Sequence, residues 1–238
     1  MNSILAIETG AASPAPWPML RAVPRSMPKA VLFDLDGTLV DSVPDLTLSI
    51  NELLVSEHLP TLAEVQVRTM VGRSIRMLVR RAYLALGIAL DVASLDCRTD
   101  AMMEMYLRRH ADRTRLMPGV RDMVDFFVAG GARLALVTSK PQAAAEAILG
   151  HFGLSGSFSV VIGDPGQPQS ELLLCALRRL GVEATDAIAV GDSPLDIAAA
   201  QAAHVRSVMV RCGYANGELD AAYAVVADPR AIPALFMA

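Results

Sequence analysis

The sequence predicts an α/β fold, a doubly wound parallel sheet whose first strand is followed by an all-helical insertion. Three observations carry this. Five short apolar runs alternate, over most of the chain, with helix-length segments, which is the rhythm of successive βαβ units. The interval from about Asp45 to Arg115 breaks that rhythm with helical periodicity and no convincing strand. With 238 residues there is chain enough for one substantial core and a smaller lobe.

In chain order, Pro14, Pro16, Pro18, Pro24 and Pro28 break any helix in residues 1–28, and Glu8 interrupts the one apolar stretch that resembles a signal peptide. That segment is expected to be disordered or loosely attached, with Met27 a possible start of translation. Residues 30–33 read as a buried strand. In the insertion, assigned to residues 45–115, Leu46, Ile50, Leu53 and Leu54 recur three and four apart, as one face of a helix requires. The alternation then resumes: strands at 133–137, 159–162, 187–190 and 207–210, and helices at 120–128, 143–152, 172–180 and 195–202. Gly130-Gly131 and Gly181 stand where helix C-terminal caps belong. The core is expected to comprise residues 29–44 and 116–238.

Composition excludes several function classes. A formal charge of −4 argues against a nucleic-acid partner, which needs a basic surface. No apolar run reaches the roughly 18 residues of a membrane span. Cys97, Cys175 and Cys212 are odd in number and widely spaced, so neither a disulfide framework nor a zinc site is indicated, and a reducing cytoplasmic location is expected. His58, His110, His151 and His204 are equally scattered and read as packing or surface residues. A small-molecule partner is expected, acting on a monomer or homodimer.

In an open parallel sheet ligands bind beyond the carboxyl ends of the strands, so the polar residues following each strand converge. Asp34 and Asp36 follow the first, Thr138 and Lys140 the second, Asp164 and Gln167 the third, Asp192 and Asp196 the fourth. Acidic groups with one hydroxyl and one cation around a single pocket describe a phosphate site dependent on Mg2+, which prefers oxygen ligands. Asp34 and Asp36, two apart at a strand end, project to one side; one can attack a phosphorus while the other handles the proton of the leaving group. Gly37 and Thr38 turn the chain away and leave backbone amides open to a phosphate oxygen. For Asp164, in GDPG, a turn role is the simpler reading.

DLDGTLVDS (34–42), TSKP (138–141) and GDSPLDIAAA (191–200), in this order, resemble the haloacid dehalogenase superfamily, in particular its phosphoglycolate-phosphatase-like branch. The resemblance implies a Rossmann-like core with a helical cap inserted after the first strand. It implies further that Asp34 is a nucleophile forming an aspartyl-phosphate, Asp36 the general acid/base, and Thr138 a hydrogen-bond donor to the phosphate, with Ser139 beside it at the substrate. Asp192 would be a magnesium ligand, with Asp196 either ligating or holding the loop that presents it, in a metal site of Asp34, Asp36, Asp192 and Asp196. Asp36 favours phosphoryl transfer, since members that cleave carbon–halogen bonds lack an acid there. Arg73, Arg76 and Arg80 form a stripe in the cap; it is either a solvated helix face or, through Arg73 next to Gly72, a contact for a second anionic group of the substrate.

The chain departs from the family at one position. The lysine that neutralises nucleophile and phosphate lies, in this branch, in a K-P-x-P stretch, whereas here GQPQS (166–170) places Gln167 there. Of the 21 lysines and arginines only Lys29 and Lys140 are lysines, so the one in TSKP is not explained by abundance. The sequence therefore leaves three readings: a phosphatase of small phosphorylated metabolites in which Lys140 supplies the charge, an attenuated member that serves as a binding module, and a sugar-phosphate mutase.

Overall fold

The computed structural model describes residues 26–237 except 73, 110, 164, 165, 215 and 216. The expectations for residues 1–25, Arg73, His110 and Asp164 lie outside these. Met27 and Pro28, assigned to the loose segment, join the core instead: Pro28 is buried, and Met27 packs on the hydrophobic cluster over Gly130.

The predicted parallel sheet is present, and it has six strands where the sequence predicts five, in the order β5 (Phe158–Gly163), β4 (Arg133–Thr138), β1 (Ala30–Phe33), β6 (Ala187–Gly191), β7 (Arg206–Val210) and β8 (Ala224–Val226). The central strands β1 and β6 are sandwiched, which is why each reads as an unbroken apolar run. Along β1 the side chains alternate, Val31 and Phe33 toward one cluster and Ala30 and Leu32 toward the other. The first cluster is covered by α5 (Val120–Ala129) and α6 (Gln142–His151), the second by α7 (Gln169–Leu180) and α8 (Pro194–Ala202). Gly181 ends α7 in the left-handed conformation, at φ +63°. Strand β8 was not foreseen. Its three half-buried residues lie at the sheet edge, too short to show a period.

The chain leaves the core through β2 (Val40–Asp41) and returns through β3 (Arg115–Leu116), which pair antiparallel, Val40 with Leu116 and Asp41 with Arg115. Between them lie four helices, α1 (Val43–Ser56), α2 (Glu64–Arg68), α3 (Ile75–Ala85) and α4 (Val92–Leu107). Ile50, Leu54, Val79, Tyr83, Met102 and Tyr106 build their common core, joined by Ala144 from α6 below. The buried Asp45 carboxylate, in the first turn of α1, accepts from Arg113 N–H at 3.0 Å and from Thr114 N–H and Oγ1 at 2.7 Å each. It thereby ties the outgoing strand's helix to the returning linker.

Candidate active site

Strand order decides the site. Because β1 lies between β4 and β6, Thr138 at the end of β4, Asp34 after β1 and Asp192 after β6 come from neighbouring strands. The Asp34 N–H donates to Val190 O at 2.9 Å, holding the two chain ends side by side. Asp34, Asp36, Thr138, Ser139, Lys140, Asp192 and Asp196 all line one cavity of about 50 Å³. Its roof comes from the cap: Leu46, Val71, Ile75 and Leu78 supply apolar surface, with Gly72 and Ser74 at the start of α3.

Asp34, Asp192 and Asp196 each offer a carboxylate oxygen within 4.8 Å of the others. Burial, then the charges of Asp196, Asp192 and Asp36, push the Asp34 carboxyl well above the usual carboxylate range, against the Leu35 backbone N–H. The loop bearing Asp192 is held from two sides. Tyr214 N–H donates to Asp192 Oδ2 at 2.5 Å. On the other side, Asp196 Oδ2 accepts from Ser193 N–H (3.0 Å), Ser193 Oγ (2.6 Å) and Asp192 N–H (3.3 Å), forming the N-terminal cap of α8. Burial raises the Asp196 carboxyl in spite of these bonds. Gln169 Nε2 donates to Asp196 Oδ1 at 2.7 Å, so Asp196 is spent mainly on fixing its neighbour's loop.

The Asp36 carboxylate is turned away from that cluster. Its Oδ1 accepts from Ser42 Oγ at 2.5 Å and its Oδ2 lies 3.1 Å from Lys140 Nζ. The Lys140 side chain is only 2% exposed. Burial alone would disfavour its charge, but the Asp36 carboxylate and the Tyr106 hydroxyl outweigh that and hold the ammonium above the ordinary lysine range. Gly37 and Thr38 are not among the cavity's lining residues. Thr38 is fully buried, and Gly37 adopts φ +86°, where a Cβ would stand 2.3 Å from Asp192 Oδ2. Gly37 is what lets the first-strand loop approach Asp192 so closely.

Gln167 is exposed and sits in a separate depression that shares Gly72, Ser139 and Gln169 with the cavity. Arg76 pairs with Asp96 at 2.8 Å on the surface, as a solvated face requires. Sequence reasoning missed Gln169, Tyr106 and Tyr214. The Tyr214 hydroxyl accepts from Ser42 N–H at 2.7 Å and lies 2.9 Å from Asp41 Oδ1, so one side chain touches both the Asp192 loop and the hairpin leading to the cap. Tyr106 and Tyr214 belong to no recognisable motif, Gln169 lies in the stretch where the K-P-x-P motif is degraded, and each is remote in sequence from its partner.

A sequence profile described as haloacid dehalogenase-like hydrolase matches residues 31–210. Phosphoglycolate phosphatase of Rhodospirillum rubrum is 39% identical over 198 residues, 80% of this chain and 82% of that protein. Phosphoglycolate phosphatase 1 of Pseudomonas aeruginosa is 38% identical over 80% of this chain and 72% of its own. Among solved structures, a predicted phosphoglycolate phosphatase from Haemophilus somnus superposes with a TM-score of 0.79 at 29% identity, over 87% of this chain and 97% of that one.

Proposed function

Since the chain belongs to the haloacid dehalogenase-like hydrolases, we propose that it is a phosphoric monoester hydrolase acting on a small phosphorylated metabolite, phosphoglycolate being the first candidate, by covalent catalysis at Asp34. The observation that carries this is the convergence of Asp34, Asp36 and Lys140 on one cavity roofed by the cap. Asp34 attacks the phosphorus as the bond to the alkyl oxygen breaks, and Asp36, which enters this step protonated, delivers its proton to the departing alkoxide. An aspartyl-phosphate on Asp34 results. Water then attacks that phosphorus, Asp36 takes its proton, and Asp34 is released with inorganic phosphate. Thr138 and Ser139, at the end of β4 and lining the cavity, are the proposed donors to phosphate oxygens, while Gly37 and Thr38 shape the turn behind them.

The donor set fits Mg2+: hard carboxylate oxygens from Asp34, Asp192 and Asp196, crowded enough that, beyond burial, Asp196 and Asp192 raise the proton affinity of Asp34. Of these, Asp34 and Asp192 are the proposed ligands, and Asp196 holds the loop, since its oxygens already accept four hydrogen bonds. Bound there, Mg2+ would neutralise the carboxylates and the incoming phosphate. Lys140 adds a fixed cation beside Asp36, which supports turnover over the binding-module alternative raised by Gln167. Arg73, between Gly72 and Ser74 in the sequence, is the proposed partner of a substrate carboxylate.

Asp34→Asn is expected to abolish phosphate release and block a beryllofluoride adduct while circular dichroism stays unchanged, and EDTA should silence the wild type until Mg2+ is restored. Turnover by folded Asp34→Asn protein, or full activity in chelator, would refute the assignment.

A further inference from the structure

We propose that Tyr106, a cap residue, is a positioning residue for the site: its hydroxyl holds the Lys140 ammonium beside Asp36, so that the site's cation is set only while the cap is seated on the core. The inference rests on the phosphatase reading and adds to it a residue outside every motif. Tyr106 lies in the last turn of α4, fully buried, and Lys140 is 34 positions away on the core. Lys140 Nζ donates to the Tyr106 hydroxyl at 2.7 Å and stands 4.4 Å from the centre of the same ring.

A lysine is a point charge on a flexible four-carbon stem, and left to itself it does not hold one position. Here two anchors fix it, Tyr106 from the cap and Asp36 from the core at 3.1 Å. An ammonium has three N–H groups; among the described residues two are so engaged, which leaves a third for an anion in the cavity that Lys140 lines. The tyrosine is itself well fixed, since the end of α4 is fastened to α1 by Arg108 and Arg109 on Glu52 and the linker beyond it is tied to Asp45. Displacing the cap would carry the hydroxyl away and release the lysine. Seating of the cap and preorganisation of the site's charge are thus one event.

The test is a double-mutant cycle with Tyr106→Phe, which keeps the ring, and Lys140→Met, read both in steady-state hydrolysis of phosphoglycolate and in the calorimetric Kd for inorganic phosphate with Mg2+. Tyr106→Phe should lower kcat about tenfold or more, on the scale of a mis-set electrostatic donor, with KM within about twofold, and should weaken phosphate binding. In the Lys140→Met background the same change should have no further effect on either readout, because it acts only through the lysine. A purely structural tyrosine would give multiplicative losses in both backgrounds, and that result, or a Tyr106→Phe enzyme equal to the wild type, overturns the proposal. The two readouts separate this inference from the reading beneath it. Additive losses in an active enzyme sink the role of Tyr106 alone, whereas an inactive wild type with a non-additive phosphate cycle sinks the substrate assignment alone.

Discussion

Replacing Asp45 with alanine removes the acceptor that joins α1 to the returning linker, and the structure sets the size of the effect. Three donors lose their partner: the Arg113 N–H, the Thr114 N–H and the Thr114 hydroxyl. Arg113 is exposed, so water can take its amide, but Thr114 is buried and both of its donors lose a charged acceptor. A hydrogen bond to a charged group is worth about 1.5–3 kcal/mol, so losing the two from Thr114 puts Asp45→Ala at roughly 3–4 kcal/mol once the hydroxyl has turned to another acceptor. Asp45→Asn keeps one carbonyl oxygen for Thr114 and turns its amide against the Arg113 N–H, so about half that loss is expected. Urea unfolding followed by circular dichroism gives both values from the shift in midpoint at constant slope. A loss below about 1 kcal/mol for Asp45→Ala, a small fraction of an ordinary domain's stability, would show that the carboxylate does not close the linker and that the hairpin strands suffice.

Two further outcomes follow from the site. Gly37→Ala should raise the Mg2+ concentration needed for half-maximal activity by about tenfold or more, since a Cβ there meets Asp192 Oδ2 at 2.3 Å and φ is +86°; an unchanged magnesium titration in a folded variant would refute the close approach. Gln167→Lys should raise kcat about tenfold by restoring a cation, and should reduce the loss caused by Lys140→Met, because the two charges would be partly redundant. Stopped-assay kinetics on the four proteins measures both, and independent effects would show that Lys140 does not substitute for the missing residue.

The core was legible in the sequence because its strands are covered on both faces. Residues 30–33 and 187–190 are uniformly apolar for that reason, and the carboxylates after them mark where the strands end. The convergence of Asp34, Thr138 and Asp192 followed from the rule that parallel strand ends share a face. What stayed hidden depends on contacts between distant segments. Strands β2 and β3 have two residues each, below any periodicity, and exist because Val40 and Leu116 find one another. Tyr214 reads as an ordinary loop aromatic until the fold sets its hydroxyl against Ser42, and Asp45 reads as a helix N-terminal acid until Thr114 arrives. Gln169 looked like part of a degraded motif, yet it bonds Asp196 from the first turn of α7.

The two-residue hairpin also fixes how the core experiences the whole cap. Since departure and return are adjacent and hydrogen-bonded, the four helices between them amount, from the sheet's side, to the loop of a β-hairpin whose ends are already closed. Loop-closure entropy grows only with the logarithm of length, about 0.6 kcal/mol per doubling, so a long insertion burdens β1 and its neighbours scarcely more than a short one. The sheet register and the strand-end carboxylates are set without reference to what the hairpin carries. In this architecture the segment between the hairpin strands can change length at little cost to the sheet, while one of its residues, Tyr106, still reaches Lys140 of the core.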